Sequence, residues 1–411
     1  MRFSFLHAAD LHIDSPLESL GVKDAAVAAR FARAGRAAVE SLVSHALESE
    51  AKFLIIAGDI YDGDWRDVST GHFFARALGE LHRAEVPTFM IKGNHDAESV
   101  MSKSLSYPDS VRVFGARKAE THLLEDLRVA LHGRSFADRG VGADFVSSYP
   151  ARREGWLNIG LLHTGLDGAR GHASYAPCST GDLARFNYDY WALGHIHAAE
   201  IVQREPWIVY PGNLQGRSPR ETGPKGAMRV TVEDGRVVLV EPVALDAARW
   251  AHETIDVSAI AHESEAVALI DAALAQAMRF AEGRPLAVRL TLTGESAAHA
   301  RLLGAREWLE EEARALGFAH AADCWVERVK LATRPLPRRP EALAEPDGLD
   351  MEALVAAAAD DPDFAKVLEE LTRGLAEKLP RELREAFSPD NAEAMAERAA
   401  LARDYLAGLR A

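Results

Sequence analysis

The first half of the chain alternates short apolar runs with longer amphipathic stretches. Seven runs are rich in β-branched, aromatic and leucine residues: RFSFLHAA, KFLIIAGD, TFMIKGNHD, VALHG, LNIGLLHT, YWALGHIH and WIVYPGN. Their length and composition predict strands. Several are separated by stretches of helical character, Ala25–Glu50 and Thr70–Ala84. This alternation predicts an α/β sheet layered with helices. In the following AMRVTVEDGRVVLVEPVAL, Asp234-Gly235 sits between alternating apolar runs and predicts a hairpin.

The second half reads differently. Strands are expected at Glu253–Val257, Leu286–Thr293 and Cys324–Leu331, with helices at Ser264–Phe280 and Ser296–Leu316. That pattern describes a small α+β unit. RPLPRRPEALAEP, Arg334–Pro346, holds four prolines and reads as a linker. The remainder is rich in Ala, Glu and Leu, expected to be helical and interrupted at Pro362, Pro380 and Pro389. Phe364, Val367, Leu368, Leu371 and Leu375 give it an amphipathic face. The expected divisions are therefore 1–248 (layered α/β), 249–334 (α+β), 335–346 (linker) and 347–411 (helical tail).

Composition narrows the class. A chain of 411 residues, 48% hydrophobic and 27% charged, is of globular type. No apolar run approaches the ~18 residues of a membrane span. The apolar run in MRFSFLHAAD is too short for a secretory signal, so a cytoplasmic location is expected, with no membrane partner. Cys178 and Cys324 lie far apart and lack zinc-site spacing; reduced, structural thiols are expected. The net charge is −15, and Glu341–Ala411, with 8 Lys+Arg against 17 Asp+Glu, carries most of the excess. Bulk charge thus gives no support to a polyanionic partner. It does not exclude one, because carboxylates that bind divalent cations are neutralised by them.

The chemistry sits at the ends of the apolar runs. ADLHID supplies Asp10 and His12, AGDIYD supplies Asp59 and Asp62, and KGNHDAE supplies Asn94, His95 and Asp96. LLHTG supplies His163, and GHIH supplies His195 and His197. Ligand sites in α/β folds gather at the C-terminal ends of strands, so these clusters can converge. In extended backbone, residues two apart face one side, which would aim each of the pairs Asp10/His12 and His195/His197 at a single object. Alone, Asp10 could cap a helix and Asp59 could sit in a turn. Together they form a mixed N/O set that suits Mn²⁺, Fe²⁺ or Zn²⁺ rather than a thiolate-selective metal. Seven such ligands exceed what one ion needs; two ions sharing a carboxylate at roughly 3.5–4 Å would use them all.

D-x-H, G-D-x-x-D, G-N-H-D, a lone His and G-H-x-H, in that order over about half the chain, resemble the calcineurin-like metallophosphoesterase family. HAADLHIDSPL, GDIYDGDW and YPGNLQGR are similar to the bacterial SbcD/YhaO-type DNA-repair exonucleases, relatives of the eukaryotic meiotic recombination nuclease. The resemblance implies a two-sheet layered fold, followed by a small α+β capping domain and a helical C-terminal tail. It implies that Asp10, His12 and His197 hold one metal ion, that Asn94, His163 and His195 hold the other, and that Asp59 bridges them. His95 would assist the leaving oxygen while a bridging hydroxide attacks phosphorus, and Asp96 would orient His95. The implied cofactors are two divalent ions, Mn²⁺ first, with Fe²⁺, Zn²⁺ or Mg²⁺ as alternatives. The implied partners are DNA and an SMC-like coiled-coil ATPase docking on the tail; the same amphipathic face would equally serve packing on its own chain or a homodimer.

The implied activity is a two-metal DNA exonuclease acting on DNA ends in repair. A phosphatase or small-molecule phosphodiesterase would use the same site. Protein Ser/Thr phosphatases carry arginine after the second aspartate of G-D-x-x-D, where this chain has Gly63. A non-catalytic scaffold would have lost a ligand or the general acid, and every expected position is filled. Asp62 is left open between support of the site and local hydrogen bonding, and Trp65 between a base-stacking platform and an ordinary aromatic. Arg217, Arg220 and Lys225, in the Gly/Pro-rich loop Gly212–Gly226, could hold phosphates near the metals. His7, His72, His82, His122 and His132 match no ligand block and are expected to be surface or satisfied polar groups.

Overall fold

A computed structural model describes residues 1–15, 25–62, 68–98, 105–138, 145–166, 178–321 and 323–336, with isolated positions 366, 367, 370, 373 and 374. Trp65 and nearly all of the expected linker and tail lie outside the described residues. The chain forms two compact units, one of Met1–His252 with Met278–Ala287, the other of Glu253–Ala277 with Val288–Ala411.

The first unit begins with β1 (Arg2–Ala8), α1 (Ala25–Glu48), β2 (Leu54–Ala57), α2 (Val68–Arg83), β3 (Thr88–Ile91), α3 (Asn94–Glu98) and β4 (Val111–Val113). It continues with β5 (Glu120–Leu124), β6 (Val129–Gly133), β7 (Leu157–His163), α4 (Thr180–Ala184), β8 (Tyr190–Gly194), β9 (Glu200–Arg204) and β10 (Trp207–Tyr210). A hairpin of β11 (Gly226–Glu233) and β12 (Arg236–Ala244) follows. Its turn residues Asp234 and Gly235 both have positive φ, 47° and 75°, as the dipeptide predicts.

Two six-stranded sheets result, ordered β12-β11-β1-β2-β3-β4 and β5-β6-β7-β8-β10-β9. In the first, β1 to β4 run parallel; in the second, β6, β7, β8 and β10 do. Strand period fixes how they stack. Phe3 and Phe5 of β1, with Phe53, Ile55 and Ala57 around β2, meet Ile159 and Leu161 of β7 and Tyr190 and Ala192 of β8 in one buried cluster between the sheets. The alternate residues Leu6, Ala8, Leu54 and Ile56 pack outward beneath α1 and α2. Phe5 stacks on Phe53 at 4.6 Å and meets the edge of Tyr190 at 5.6 Å. Each such fully buried ring stabilises the fold by about 1.5–3 kcal/mol.

Strands β4, β5 and β9 were not expected from the sequence. β4 and β9 are sheet edges and β5 is the opposite edge of the second sheet. Their side chains are mostly half-buried or exposed, so they lack the apolar run that marks a central strand.

The elements that follow are β13 (Arg249–Asp256), α5 (Glu265–Ala281), β14 (Leu286–Ser296), α6 (His299–Gly304), α7 (Arg306–His320) and β15 (Cys324–Pro335), of which the start of β13, the end of α5 and the first two residues of β14 belong to the first unit and the rest to the second. The sheet order is β13-β14-β15. The single helix expected over Ser296–Leu316 is two, broken at Ala305 just after Gly304, a residue with poor helical propensity. β15 takes in the first residues of the proline-rich stretch, with Pro335 at its end where no ladder N–H is required. Arg289 and Glu327 form a two-pronged ion pair across β14 and β15, at 2.8 and 2.9 Å. Cys178 and Cys324 are free thiols. Among the described residues, no helix is long and apolar enough to cross a membrane.

His7 joins the two sheets from inside. One ring nitrogen accepts from the Tyr190 hydroxyl at 2.9 Å and the other donates to the Leu193 carbonyl at 3.1 Å. Burial pushes its pKa down to about 3, against the pull of that carbonyl. The folded chain therefore keeps His7 neutral where the unfolded chain takes up a proton. Stability from this group is full above about pH 6.5 and is lost as the pH falls toward 3. Denaturant midpoints measured from pH 7 to 4 in the presence of a chelator should fall more steeply for the wild type than for His7→Gln. Parallel curves would show that His7 titrates normally.

Candidate metal centre

The five polar clusters sit where the parallel strands end, and all five meet. Past β1, the backbone of Asp10, His12 and Ile13 still bonds to Gly58, Asp59 and Ile60, so the ends of β1 and β2 are locked in step. The conformation is not extended, however. Asp10, His12, Asp59 and His195 have φ of 51°, 41°, 51° and 100°. Left-handed backbone costs an L-residue about 1–2 kcal/mol, and such outliers gather at functional sites. The alternation argument for the pair His195 and His197 therefore fails: the left-handed turn sends the two rings to different clusters.

One cluster holds Asp10, His12 and His197. The Nε2 atoms of His12 and His197 face each other at 3.3 Å, and His197 Nε2 lies 3.9 Å from Asp10. His197 Nδ1 donates to Glu221 at 2.7 Å, and His12 Nδ1 lies 3.4 Å from Asp62. The Glu221 bond puts the proton of His197 on Nδ1 and its lone pair on Nε2, facing His12 Nε2. Among the described residues a second such cluster holds Asp59, His163 and His195, and a third, sharing His12 with the first, holds His12, Asp62 and His95. His163 Nδ1 donates to the Ala57 carbonyl at 2.9 Å. Its Nε2 then faces two further acceptors, Asn94 Oδ1 at 2.9 Å and Asp59 Oδ2 at 3.3 Å. Converging lone pairs of this kind call for a cation. The donor set, imidazole nitrogen with carboxylate and amide oxygen, fits a first-row divalent ion.

Asp59 lies between the clusters. The same Oδ2 is 3.8 Å from His12 Nε2 and 3.3 Å from His163 Nε2, while Oδ1 accepts from the His95 amide at 3.0 Å. Burial alone would raise its pKa, but His163, His12 and His95 together hold it well below the usual carboxylate range. Asp10 also ties the clusters, accepting the His195 amide on both oxygens. Burial raises Asp10 despite the imidazoles around it. His163 would be lowered by burial, yet Asp59, Asp10 and the Ala57 carbonyl hold it up to about 9. The carboxylates that keep a proton on that ring would equally hold a cation in its place.

Space is as constrained as charge. A Cβ on Gly93 would lie 2.2 Å from Asp59 Oδ1, and one on Gly194 would lie 2.1 Å from the Ala57 carbonyl. Gly93 is required by the close approach of the ends of β3 and β2 within the first sheet, and Gly194 by that of β8 and β2 between the sheets.

Residues 3–199 match the family model for calcineurin-like phosphoesterase, and residues 250–334 match that for the middle domain of metallophosphoesterase YhaO. The uncharacterized metallophosphoesterase YhaO of Bacillus subtilis (strain 168) is 30% identical over 312 residues, 75% of this chain and 74% of that protein. The chain belongs to the calcineurin-like metallophosphoesterase family. It is accordingly a metal-dependent phosphoester hydrolase by family, with His/Asp clusters suited to two divalent ions. Two solved structures are more distantly similar. TT1561 of Thermus thermophilus is 13% identical with a TM-score of 0.33, covering 59% of this chain and 99% of that one. A dimetal phosphatase from Danio rerio is 12% identical with a TM-score of 0.34 and the same coverage.

The metallophosphoesterase places the remaining expected residues unevenly. His95, on α3, is half-buried and its ring meets His12 edge-on at 5.0 Å. Its Nδ1 pairs with Asp62 at 2.9 Å, and this bond holds the ring's pKa above its usual value despite burial. Asp62, not Asp96, therefore orients His95. Neighbours on a helix diverge in direction, and Asp96 turns away to accept from the amides of Ile60, Tyr61 and Gly93 at 2.9–3.0 Å. Burial and the charge of Asp59 push Asp96 up to about 6.

The expected phosphate contacts change too. Arg217 reaches Asp62 at 3.5 Å and Ser15 at 3.3 Å, so it supports the acidic side of the site. Lys225 donates inward to the His197 carbonyl at 2.9 Å, and burial lowers its pKa. Arg220 alone of the three is exposed. Glu221, against His197, was missed; its one trace in the sequence is a carboxylate inside the same Gly/Pro-rich loop.

Asp59→Asn should lose both ions, and Gly93→Ala should weaken both by displacing Asp59. Asp62→Asn should keep both. Metal content after dialysis, measured by mass spectrometry, checks the set; an Asp59→Asn chain still holding two ions would remove Asp59 from the bridging position.

Proposed function

We propose that the chain is a two-metal DNA phosphodiesterase, an exonuclease that acts on DNA ends in repair. The observation that carries the phosphodiesterase reading is the position of Asp59 between the two clusters, with the Asp62–His95 pair at their edge. Two bound cations would screen a phosphodiester's negative charge and make water nucleophilic near neutral pH. The mixed N/O donor set suits Mn²⁺, Fe²⁺ or Zn²⁺, and manganese is the ion that the family resemblance implies.

The chain's own residues do the rest. Asp62 accepts from His95 Nδ1–H and leaves Nε2 as the ring atom that can give up a proton. Its charge favours the protonated ring, so His95 is poised to donate to the departing alkoxide. Arg217 and Ser15 brace Asp62 from the other side. DNA as substrate is supported by the similarity of HAADLHIDSPL, GDIYDGDW and YPGNLQGR to the SbcD/YhaO type. In this reading the segment 347–411 docks an SMC-like coiled-coil ATPase.

Purified protein with Mn²⁺ should shorten linear DNA from its ends and stop when a chelator is added. His95→Ala should slow this about 10²–10⁴-fold with both ions retained. Release of phosphate from monoesters without DNA cleavage would establish the phosphatase instead, and a fully loaded protein inert on both would establish the scaffold.

A further inference from the structure

Glu221 is half-buried beside a candidate ligand yet belongs to none of the five sequence blocks. It lies in the loop between β10 and β11, and both oxygens of its carboxylate are engaged. Oε1 accepts from His197 Nδ1 at 2.7 Å. Oε2 accepts from the Arg217 amide at 2.7 Å and from Asn213 Nδ2 at 3.1 Å. The Arg217 guanidinium reaches back to Oε1 at 3.4 Å and forward to Asp62 Oδ2 at 3.5 Å. Burial would raise the pKa of Glu221, but His197 and Arg217 hold it at about 2.

Arg217 Nη2 also lies 3.3 Å from His197 Nδ1. Both cannot donate across that gap, and the shorter contact decides the matter. Glu221 at 2.7 Å takes the proton of Nδ1, so the lone pair of His197 is on Nε2, which faces His12. Losing that acceptor would free the ring to place its proton on Nε2, the atom that must be bare to bind a cation.

We infer that Glu221 is a positioning residue for one ion only: it fixes the tautomer and angle of His197 and so builds the ion site of Asp10, His12 and His197. Through Arg217 it also joins that site to Asp62 and hence to His95. The chain His197, Glu221, Arg217, Asp62, His95 links a ligand to the candidate acid by contacts of 2.7–3.5 Å. Signs alternate along its middle three members, so each charge is held by the next rather than by solvent.

The inference rests on the two-ion reading, and the test separates the two. The full-length, metal-free chain is titrated with Mn²⁺, with free ion followed by electron paramagnetic resonance. Wild type should bind two ions. Glu221→Ala should weaken one of them about 10–100-fold and leave the other unchanged. Glu221→Gln, which keeps an acceptor for His197 Nδ1 and the same shape, should recover part of that loss. Two ions bound with wild-type affinity in both variants would overturn the inference and leave the reading intact. Equal weakening of both ions in both variants would assign Glu221 to the loop's fold and overturn it as well. A wild-type chain that binds fewer than two ions would overturn the reading itself, before any variant is compared.

Discussion

The centre depends on two carboxylates, Asp10 and Asp59, buried to 0% and 2% exposure at the mouths of adjacent parallel strands. Charge in such a place is costly unless it is paired. The fold meets this cost with four imidazoles, His12, His163, His195 and His197, at the ends of three different strands. Much else can be traced to that arrangement. The backbone of four of these residues is bent into left-handed turns, and the sheets meet over glycines instead of side chains.

Around this centre a second layer fixes proton positions. The Ala57 carbonyl, Glu221 and Asp62 each face one Nδ1 of His163, His197 or His12. Ligand basicity and ring angle are set by such partners as much as by the ligands themselves. The layer is shared: Asp62 serves His12 and His95 at once. A ligand and the candidate acid are therefore not independent parts, and energies measured by deleting one will not add to those of the other.

The sequence shows the candidate ligands because they cluster at or just past the ends of apolar strands; Asp10, Asp59, Asn94, His163 and His195 could be found by that rule alone. It shows the layering too, since Phe3, Phe5, Leu6 and Ala8 announce both faces of β1. What it hides depends on contacts across chain distance. The partnership of Asp62 with His95 spans two loops, and that of Glu221 with His197 requires a loop to fold back. Lys225 misleads because a lysine in a Gly/Pro-rich loop beside the site reads as a phosphate contact, whereas its ammonium donates to a carbonyl inside. Asp96 misleads because the family motif sets it beside His95, whereas on α3 it turns away to the amides of Ile60, Tyr61 and Gly93. The left-handed turns leave no trace either, since Asp and His occur there without the glycine that usually marks them.

The sandwich is packed unequally along its length. Phe3, Phe53 and Phe89 fill the gap near the strands' beginnings, while Ala9, Ala57 and the glycines line it near their ends. Small residues there let the strand ends approach closely, so the spacing of the candidate ligands depends on these glycines and alanines as well as on the loops that carry the ligands.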